Sequence, residues 1–214
     1  MDVIRFQGVC PQVFSGRSDI VSEVWKRDLE FKKGQTYLVE AESGKGKSTF
    51  CSYLMGYRQD FQGDIFFDNR DVRRCTISNW VDIRRRHVSC LFQDLRLFPE
   101  LTAWENVEVK NRLTQWKSGE EVEQWFELMD IADKKHVKVG MMSFGQQQRV
   151  AMIRALVQPF DFLLADEPIS HLDDSHGEIM GKMMMEEALR QHAGVIVTSI
   201  GKHLNLPYHQ VIHL

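Results

Sequence analysis

Residues 41–49 have the sequence AESGKGKST, and this stretch decides the fold. It follows QTYLVEA at 35–41, an apolar segment typical of a short β-strand, and it leads into STFCSYLMG at 48–56, which is typical of a helix. A glycine-rich loop between a strand and a helix presents backbone N–H groups at a helix N-terminus, where anions bind well. The stretch therefore predicts a phosphate-binding P-loop.

Each position of this loop has a predicted role. Three backbone N–H groups would point toward phosphate, those of Gly44, Lys45 and Gly46. The ammonium of Lys47 would reach the β and γ phosphates of a nucleotide, and the hydroxyl of Ser48 would bind Mg²⁺. Ala41 stands where the pattern has its first glycine, but a methyl group is small and we expect the loop to tolerate it. The alternative is an ordinary surface turn rich in glycine and lysine.

A second motif supplies the acidic groups that such a loop lacks. The apolar segment FLLADEP at 162–168 is typical of a buried strand, and it ends in Asp166 and Glu167. Asp166 could hold Mg²⁺ through water, and Glu167 could polarise an attacking water as a general base. A strand that ends in an acidic turn is the alternative, and the presence of a P-loop makes it less persuasive.

Composition narrows the class of protein. The chain has 214 residues, 43% hydrophobic and 27% charged, with a net charge of −3, which argues against a chain-wide nucleic-acid surface. We expect no signal peptide and no direct membrane insertion, because no apolar run approaches the roughly 18 residues of a transmembrane helix. The four cysteines are scattered, which indicates a reducing compartment. The arginine clusters at 73–74 and 84–86 are predicted to be solvated faces, with partner contacts as the alternative.

The order of elements predicts an α/β protein. Strand-like segments dominate the first third, and two helix-strand pairs follow residue 145. Between them, 102–114 and 118–135 are predicted helices, the second with an S-x-x-E capping box at Ser118. Low strand content from 94 to 142 indicates an inserted helical lobe. The three glutamines at 146–148 are typical of a solvated helix face.

Five motifs, taken in order, resemble those of the nucleotide-binding subunit of ABC transporters over essentially the whole chain. Any one of them alone would be a weak signal, whereas five in the family's order are a strong one. The matches are AESGKGKST (41–49) to Walker A, Gln93 to the Q-loop glutamine, MSFGQ (142–146) to the LSGGQ signature, FLLADEP (162–168) to Walker B with its glutamate, and SHLDD (170–174) to the D-loop.

This resemblance implies a fold and a set of ligands. The fold is a P-loop NTPase (RecA-like) core with a mostly parallel sheet, an N-terminal antiparallel β subdomain and an inserted α-helical subdomain. Residues 1–214 would form one domain, with the core at 1–93 and 143–214 and the helical subdomain at 94–142. The ligands are ATP and Mg²⁺. The implied metal ligands are Ser48, Gln93 and Asp166, the implied catalytic residues are Lys47, Gln93 and Glu167, and Ser43 and Thr49 join the loop residues 44–48 in binding ATP.

The resemblance also implies a head-to-tail homodimer. Ser143, the backbone N–H of Gly145 and Gln146 would then cap the γ-phosphate held by the P-loop of the other subunit. Phe144 replaces the usual first glycine of this signature. Its side chain could pack outward against the helical lobe or weaken closure of the dimer, and we favour outward packing because Ser143 and Gly145 are retained.

Two further positions are implied by the resemblance alone. An aromatic platform for adenine is expected near the N-terminus, at Phe14 by its position relative to the P-loop or at Trp25. The family's switch histidine after the next strand is replaced by Ser199, which can still hydrogen-bond a phosphate oxygen. His203 lies four residues further on, and we do not expect it to take over this role.

The segment LFQDLRLFPELTAWENV at 91–107 resembles the subfamily of lipoprotein-release, macrolide-export and cell-division subunits (LolD, MacB and FtsE types). A separate membrane permease would dock near Leu95–Val107 and hold the protein at the inner, cytoplasmic face of the membrane. The alternatives are an FtsE-like ATPase that signals to a cell-wall enzyme, a soluble repair or translation factor of the same family, and a P-loop kinase.

Overall fold

Two β-sheets organise the fold in the computed structural model, which describes residues 1–17, 21–42 and 44–214. The first sheet is antiparallel and contains β1 (Val3–Pro11), β2 (Leu29–Lys32), β4 (Phe61–Phe67) and β5 (Arg70–Asp71). The second is parallel and contains β3 (Thr36–Glu40), β6 (Val88–Leu91), β7 (Phe162–Asp166), β8 (Gly194–Ser199) and β9 (Gln210–His213). Their strand orders are β2-β1-β4-β5 and β6-β7-β8-β3-β9.

The helices surround the parallel sheet and form the lobe that follows β6. The described elements are α1 (Lys47–Leu54), α2 (Ile77–Asp82), α3 (Ala103–Asn111), α4 (Gly119–Leu128), α5 (Phe144–Leu156) and α6 (Asp174–Arg190). In the described residues, every helix is too short or too polar to span a bilayer. The predicted α/β fold, with its antiparallel N-terminal sheet, parallel core and helical insertion, is confirmed.

The parallel sheet places the predicted site residues at the carboxyl ends of its strands. Every residue of β6, β7 and β8 is buried, as expected for strands covered on both faces. In the parallel register Asp166 lies opposite Thr198, and Glu40 lies opposite Ser199. The loops that leave β3, β6, β7 and β8 therefore emerge side by side at the carboxyl edge, where ligands of open α/β sheets bind.

One helical segment was not predicted from the sequence. Residues 77–82 form α2, which continues into a π-helical turn over Ile83–His87. The signal was present in Thr76 and Asn79, whose side chains form a reciprocal capping box. Within the predicted solvated cluster at 84–86, the guanidinium of Arg84 lies 5.3 Å from the ring centroid of Tyr57, so this arginine covers an aromatic side chain.

The helical lobe packs through one apolar face of α4. The capping box between Ser118 and Glu121 starts α4. Val122, Phe126 and Met129 are buried, while Trp125 is only partly buried. The face that these residues form joins the core cluster that also contains the apolar side of α5.

A buried ionic cluster fastens this lobe to the core. Lys117, which precedes α4, donates to the Glu187 carboxylate of α6 at 2.9 Å, and the two side chains are only 3% and 2% exposed. The same carboxylate accepts from Arg190 at 2.6 Å and from Gln191 at 2.6 Å. Five hydrogen bonds from four residues, including two from Arg190 and one from Trp116 at 3.3 Å, thus compensate the buried charge of Glu187.

Removing the Glu187 carboxylate should destabilise the folded protein, because it leaves Lys117 buried without its closest partner. We expect Glu187→Ala to lower the free energy of unfolding by about 3–5 kcal/mol, measured by urea denaturation. The matched control is Glu186→Ala, whose exposed carboxylate lies 4.0 Å from Lys182 and should change stability by less than about 0.5 kcal/mol. Equal effects of the two substitutions would contradict the assignment.

Candidate nucleotide site

The glycine loop takes a conformation that needs glycine at its tightest point. Gly44 and Gly46 have φ of +83° and +100°, in the left-handed region. A Cβ at Gly46 would lie 2.9 Å from Phe14 Cε2 and 3.2 Å from the ring of Trp25, so no larger side chain fits. Gly46 caps the N-terminus of α1, and Lys47 is the first residue of that helix. The contact predicted for Ser43 lies outside the described residues.

The substitution at Ala41 is compatible with this loop. Its φ is not positive, so a Cβ brings no backbone strain. The side chain is buried, and its backbone N–H donates to the carbonyl of Ser199 at 3.0 Å. The expectation that a methyl group would be tolerated at this position therefore agrees with the local geometry.

A buried ion-pair network lies at the centre of the site. The ammonium of Lys47 is 6% exposed, forms an ion pair with Glu167 and lies 3.4 Å from the Asp166 carboxylate. The hydroxyl of Thr198 donates to Asp166 and fixes the orientation of that carboxylate. The P-loop lysine and both acidic residues of the second motif thus meet in space, although they are more than a hundred residues apart in sequence.

Glu167 has an unusual backbone. Its φ is +49°, in the left-handed region that non-glycine residues rarely adopt. Its N–H donates to the carbonyl of Thr198 at 3.0 Å, and its own carbonyl accepts from the side chain of Gln148 at 3.2 Å. A strained backbone that its surroundings hold in place is common where a side chain must point in one functional direction.

Two adjoining clefts share Ser48 and Gln93. The larger has a volume of about 480 Å³ and is lined by Val13, Phe14, Glu42, Gly44, Gly46, Lys47, Ser48, Thr49, Arg58, Gln93, Glu167 and Ile200. The smaller, of about 230 Å³, is lined by Ser48, Gln93 and Asp166 together with Cys51, Ser52, Tyr57, Phe92, Asp94 and Arg96. The structure therefore brings the P-loop, Gln93 and the acidic pair around one continuous surface.

The oxygen atoms that face the smaller cleft suit Mg²⁺. A hydroxyl, an amide and a carboxylate from Ser48, Gln93 and Asp166 are hard oxygen donors of the kind that Mg²⁺ prefers. Among the described residues, no group of three His, Cys, Asp or Glu side chains could hold a metal by itself. A metal bound here would depend on this mixed oxygen set.

Two cysteines close to the site are unreactive. Burial, reinforced by the negative charge of Asp166, raises the pKa of the Cys51 and Cys90 thiols well above the usual range. Both thiols therefore stay protonated and do not act as nucleophiles.

The two aromatic candidates for the adenine platform occupy different places. Phe14 is 8% exposed and lines the larger cleft, whereas Trp25 is 2% exposed and donates its indole N–H to the carbonyl of Lys45 at 3.1 Å. Trp25 thus hydrogen-bonds to the loop without lining the cleft. Sequence reasoning missed Val13 and Ile200, which are 64% and 47% exposed on the cleft wall, because small apolar residues carry no motif.

The signature turn lies outside this cleft. Ser143 caps α5, its hydroxyl accepts from the N–H of Gln146 at 3.3 Å, and the side-chain oxygen of Gln146 accepts from the N–H of Ser143 at 3.0 Å. Within the part of the chain that the structure describes, Ser143, Gly145 and Gln146 do not line the cleft around Lys47.

Phe144 packs against a different partner from the predicted one. It is 44% exposed, and its ring lies edge-on to that of His171 at a centroid distance of 4.3 Å. His171 is an exposed residue of the segment after β7, so the aromatic partner does not come from the helices between β6 and α5. Gly145 lies flush against the same segment, since a Cβ there would be 3.2 Å from the carbonyl oxygen of His171.

Neither Ser199 nor His203 presents its side chain to Lys47. The hydroxyl of Ser199 is buried and donates to the carbonyl of Lys202 at 2.6 Å, so it is already used in a local turn. The ring of His203 lies in a separate cleft against α6, with Nδ1 3.6 Å from Glu40. The expectation that Ser199 would hydrogen-bond a phosphate is therefore at odds with its hydroxyl orientation.

The family model for the ABC transporter matches residues 26–170. The lipoprotein-releasing system ATP-binding protein LolD of Syntrophotalea carbinolica is 31% identical over 187 residues, which cover 85% of this chain and 81% of LolD. The spermidine/putrescine import ATP-binding protein PotA of Protochlamydia amoebophila is 37% identical over 151 residues, which cover 68% of this chain. The chain spans only 39% of that PotA protein.

A solved structure gives the same result. The dimeric structure of MJ0796, a bacterial ABC transporter cassette, superposes with a TM-score of 0.78 at 28% identity, covering 92% of this chain and 87% of that one. A post-hydrolysis state of the same cassette, bound to ADP and Pi, gives a TM-score of 0.75. With a family model that spans most of the sequence and a matching fold, the chain belongs to the ABC transporter family and is an ABC ATPase domain.

Proposed function

We propose that this chain is the ATP-binding and ATP-hydrolysing subunit of an ABC transporter, and that it dimerises head to tail around two ATP molecules to drive a separate membrane permease. The observation that carries the proposal is the convergence of Lys47, Gln93 and Glu167 on one cleft that Ser143 does not line. A cleft without its signature residues needs a second subunit to complete it. The similarity to LolD over most of both chains favours lipoprotein release or export.

The residues of the cleft divide the chemistry between them. The N–H groups of Gly44, Lys45 and Gly46, with Lys47 and Thr49, would bind the phosphates of ATP. Ser48, Gln93 and Asp166 would hold Mg²⁺, which when bound would neutralise phosphate charge. Glu167, assisted by Gln93, would orient and deprotonate the attacking water. Because Glu167 is paired with Lys47, a phosphate that competes for the ammonium would release the carboxylate for this task.

The second half of each site would come from the partner subunit. Ser143 and Gly145 stand at the exposed N-terminus of the 13-residue helix α5, where the helix dipole favours a phosphate. Gln146 holds Ser143 in place through the capping box. The dimeric MJ0796 cassette supports this arrangement as a relative of the same fold.

The permease would contact the surface near Leu95–Val107, where the chain leaves β6 for the helical subdomain proposed at 94–142. Phe98 is 50% exposed there, and the guanidinium of Arg96 lies 4.0 Å from the ring centroid of Phe92. An exposed apolar side chain beside a stacked arginine suits a protein partner. Binding there would keep the subunit on the cytoplasmic face of the membrane. The core would then comprise residues 1–93 and 143–214.

The proposed subfamily includes FtsE-like ATPases that signal through a membrane partner and transport nothing. These ATPases would use the same cleft in the same way. Transport by vesicles reconstituted with the co-purified permease would favour the transporter. ATP hydrolysis in such vesicles without movement of any lipoprotein or small molecule would favour the FtsE-like role.

Loss of the P-loop ammonium should weaken nucleotide binding. We expect Lys47→Ala to lower ATP affinity by about 10- to 100-fold, because a charge-assisted contact contributes about 1.5–3 kcal/mol. Fluorescence titration with an ATP analogue measures this, and Lys182→Ala on the exposed side of α6 is the control. Unchanged affinity in a folded Lys47→Ala protein would disprove the role of the loop.

Removing the general base should trap the dimer. We expect Glu167→Gln to bind ATP with near-normal affinity but to hydrolyse it about 10²–10⁴-fold more slowly. Size-exclusion chromatography with ATP and Mg²⁺ should then show a stable dimer. A monomer at high protein concentration, with bound ATP demonstrated in the same fraction, would argue against a shared site.

A mixing experiment tests whether the signature acts in trans. Ser143→Arg should abolish hydrolysis while the monomer still binds ATP, because Ser143 lies outside its own cleft. Mixing Ser143→Arg with Lys47→Ala should restore part of the activity, since one site of a mixed dimer has an intact loop and an intact signature. If the mixture stays inactive although mixed dimers form, the head-to-tail arrangement is wrong.

A further inference from the structure

Gln148 is the last of the three consecutive glutamines, and it is buried. Its side chain is 2% exposed, against the solvated position expected from the sequence. The side-chain N–H₂ group donates to two successive backbone carbonyls, that of Pro168 at 2.7 Å and that of Glu167 at 3.2 Å. A residue on α5 thus holds the peptide that follows the proposed general base.

The orientation of this amide is determined by its surroundings. Its oxygen has no hydrogen-bond partner among the described residues. Turning the amide over would point that oxygen at two carbonyl oxygens, so the donor side must face residues 167–168.

Gln148 contacts the backbone of Glu167, which is in the left-handed conformation. Glu167 has φ of +49°, its N–H donates to Thr198 across the sheet, and its carbonyl lies beside Gln148. The carbonyl has one other donor, the N–H of Ser170, at a longer 3.4 Å. Since the backbone dihedrals of Glu167 set the direction of its Cα–Cβ bond and limit its rotamers, restraints on both peptide groups narrow the positions that the carboxylate can take.

We propose that Gln148 is a positioning residue. It holds Glu167 in the position needed for proton abstraction and connects it to α5, the helix that Ser143 caps. This inference rests on the proposed function, in which Glu167 is the base of one ATP site and Ser143 serves the other. Gln148 lies five positions after Ser143, which caps α5, so a displacement of the signature turn reaches Glu167 through a single rigid element.

The decisive variant is Gln148→Met, which keeps the length of the side chain and removes both donated hydrogen bonds. We expect the full-length protein to lose about 10- to 100-fold in kcat, the size of effect that a small misplacement of a catalytic group produces. ATP affinity should stay within about twofold, because the P-loop is untouched, and a fall of tenfold corresponds to about 1.4 kcal/mol of barrier.

The matched control is Gln158→Met. Gln158 is 1% exposed and its side chain donates to the carbonyl of Val88 at 3.4 Å, so it is an equally buried glutamine on a backbone carbonyl away from Glu167. We expect this variant to lower the melting temperature while kcat stays within about twofold. A similar loss of kcat in both variants would overturn the proposal, because loosened packing would then explain it.

Rescue separates donation from packing. Gln148→His supplies a neutral N–H donor and buries no new charge, so it should recover part of the kcat that Gln148→Met loses. A His variant that folds and binds ATP but stays as slow as Gln148→Met would overturn the proposal.

The same assay distinguishes failure of this inference from failure of the proposed function. If Glu167→Gln is inactive and Gln148→Met keeps full kcat, only the positioning role is wrong. If Glu167→Gln remains active, Glu167 is not the base, and the assigned role of Gln148 falls with it.

Discussion

A buried ammonium must be paired with negative charge, and the pairing of Lys47 is the constraint on which the arrangement of the site depends. The Lys47 side chain is 6% exposed and lies between Glu167 and Asp166, whose carboxylates are themselves mostly buried. Separating these charges from water is unfavourable unless all three are held together. The pairing therefore requires the P-loop and the end of β7 to be neighbours, and this requirement restricts the order in which strands can pair.

Parallel pairing meets that requirement. The loop after β3 and the acidic turn after β7 flank β8, which pairs with both strands. Thr198 of β8 orients Asp166 through its hydroxyl, while the carbonyls of Thr198 and Ser199 accept from Glu167 and Ala41. The strand between the two motifs thus positions both. Its contribution is made by one hydroxyl and two backbone carbonyls, which are groups that carry no sequence motif.

This explains which parts of the molecule could be predicted from the sequence. The P-loop needs glycine where φ is positive and a lysine directly after it, and the second motif needs an acidic pair at the end of an apolar strand. Each of these positions accepts only one type of residue, so the motifs can be recognised in the sequence. The contacts of Gln148 and Thr198 could not be predicted, because they depend on which element lies opposite. A buried glutamine and an exposed one look the same in a sequence.

The misjudged positions show the same limit. Ser199 could in principle donate to a phosphate, but a local carbonyl three residues on lies within reach and takes its hydrogen bond. Phe144 was expected to pack against the lobe beside it, whereas the ring of His171 meets it from the segment after β7. In both cases the side chain has several possible partners, and the tertiary structure determines which of them it contacts.

The three glutamines show how one short polar stretch can serve several ends. Successive helix residues are rotated by about 100°, so neighbours in sequence face different surroundings. Gln146 faces back and closes the capping box at Ser143, Gln147 donates to the carbonyl of Met142 at 2.9 Å, and Gln148 faces inward to the peptide after β7. Each amide satisfies backbone groups in a different direction. The stretch needs no acid or base because its task is to hold the signature turn and the acidic strand end in fixed relation, and neutral amides do this without adding charge near a phosphate.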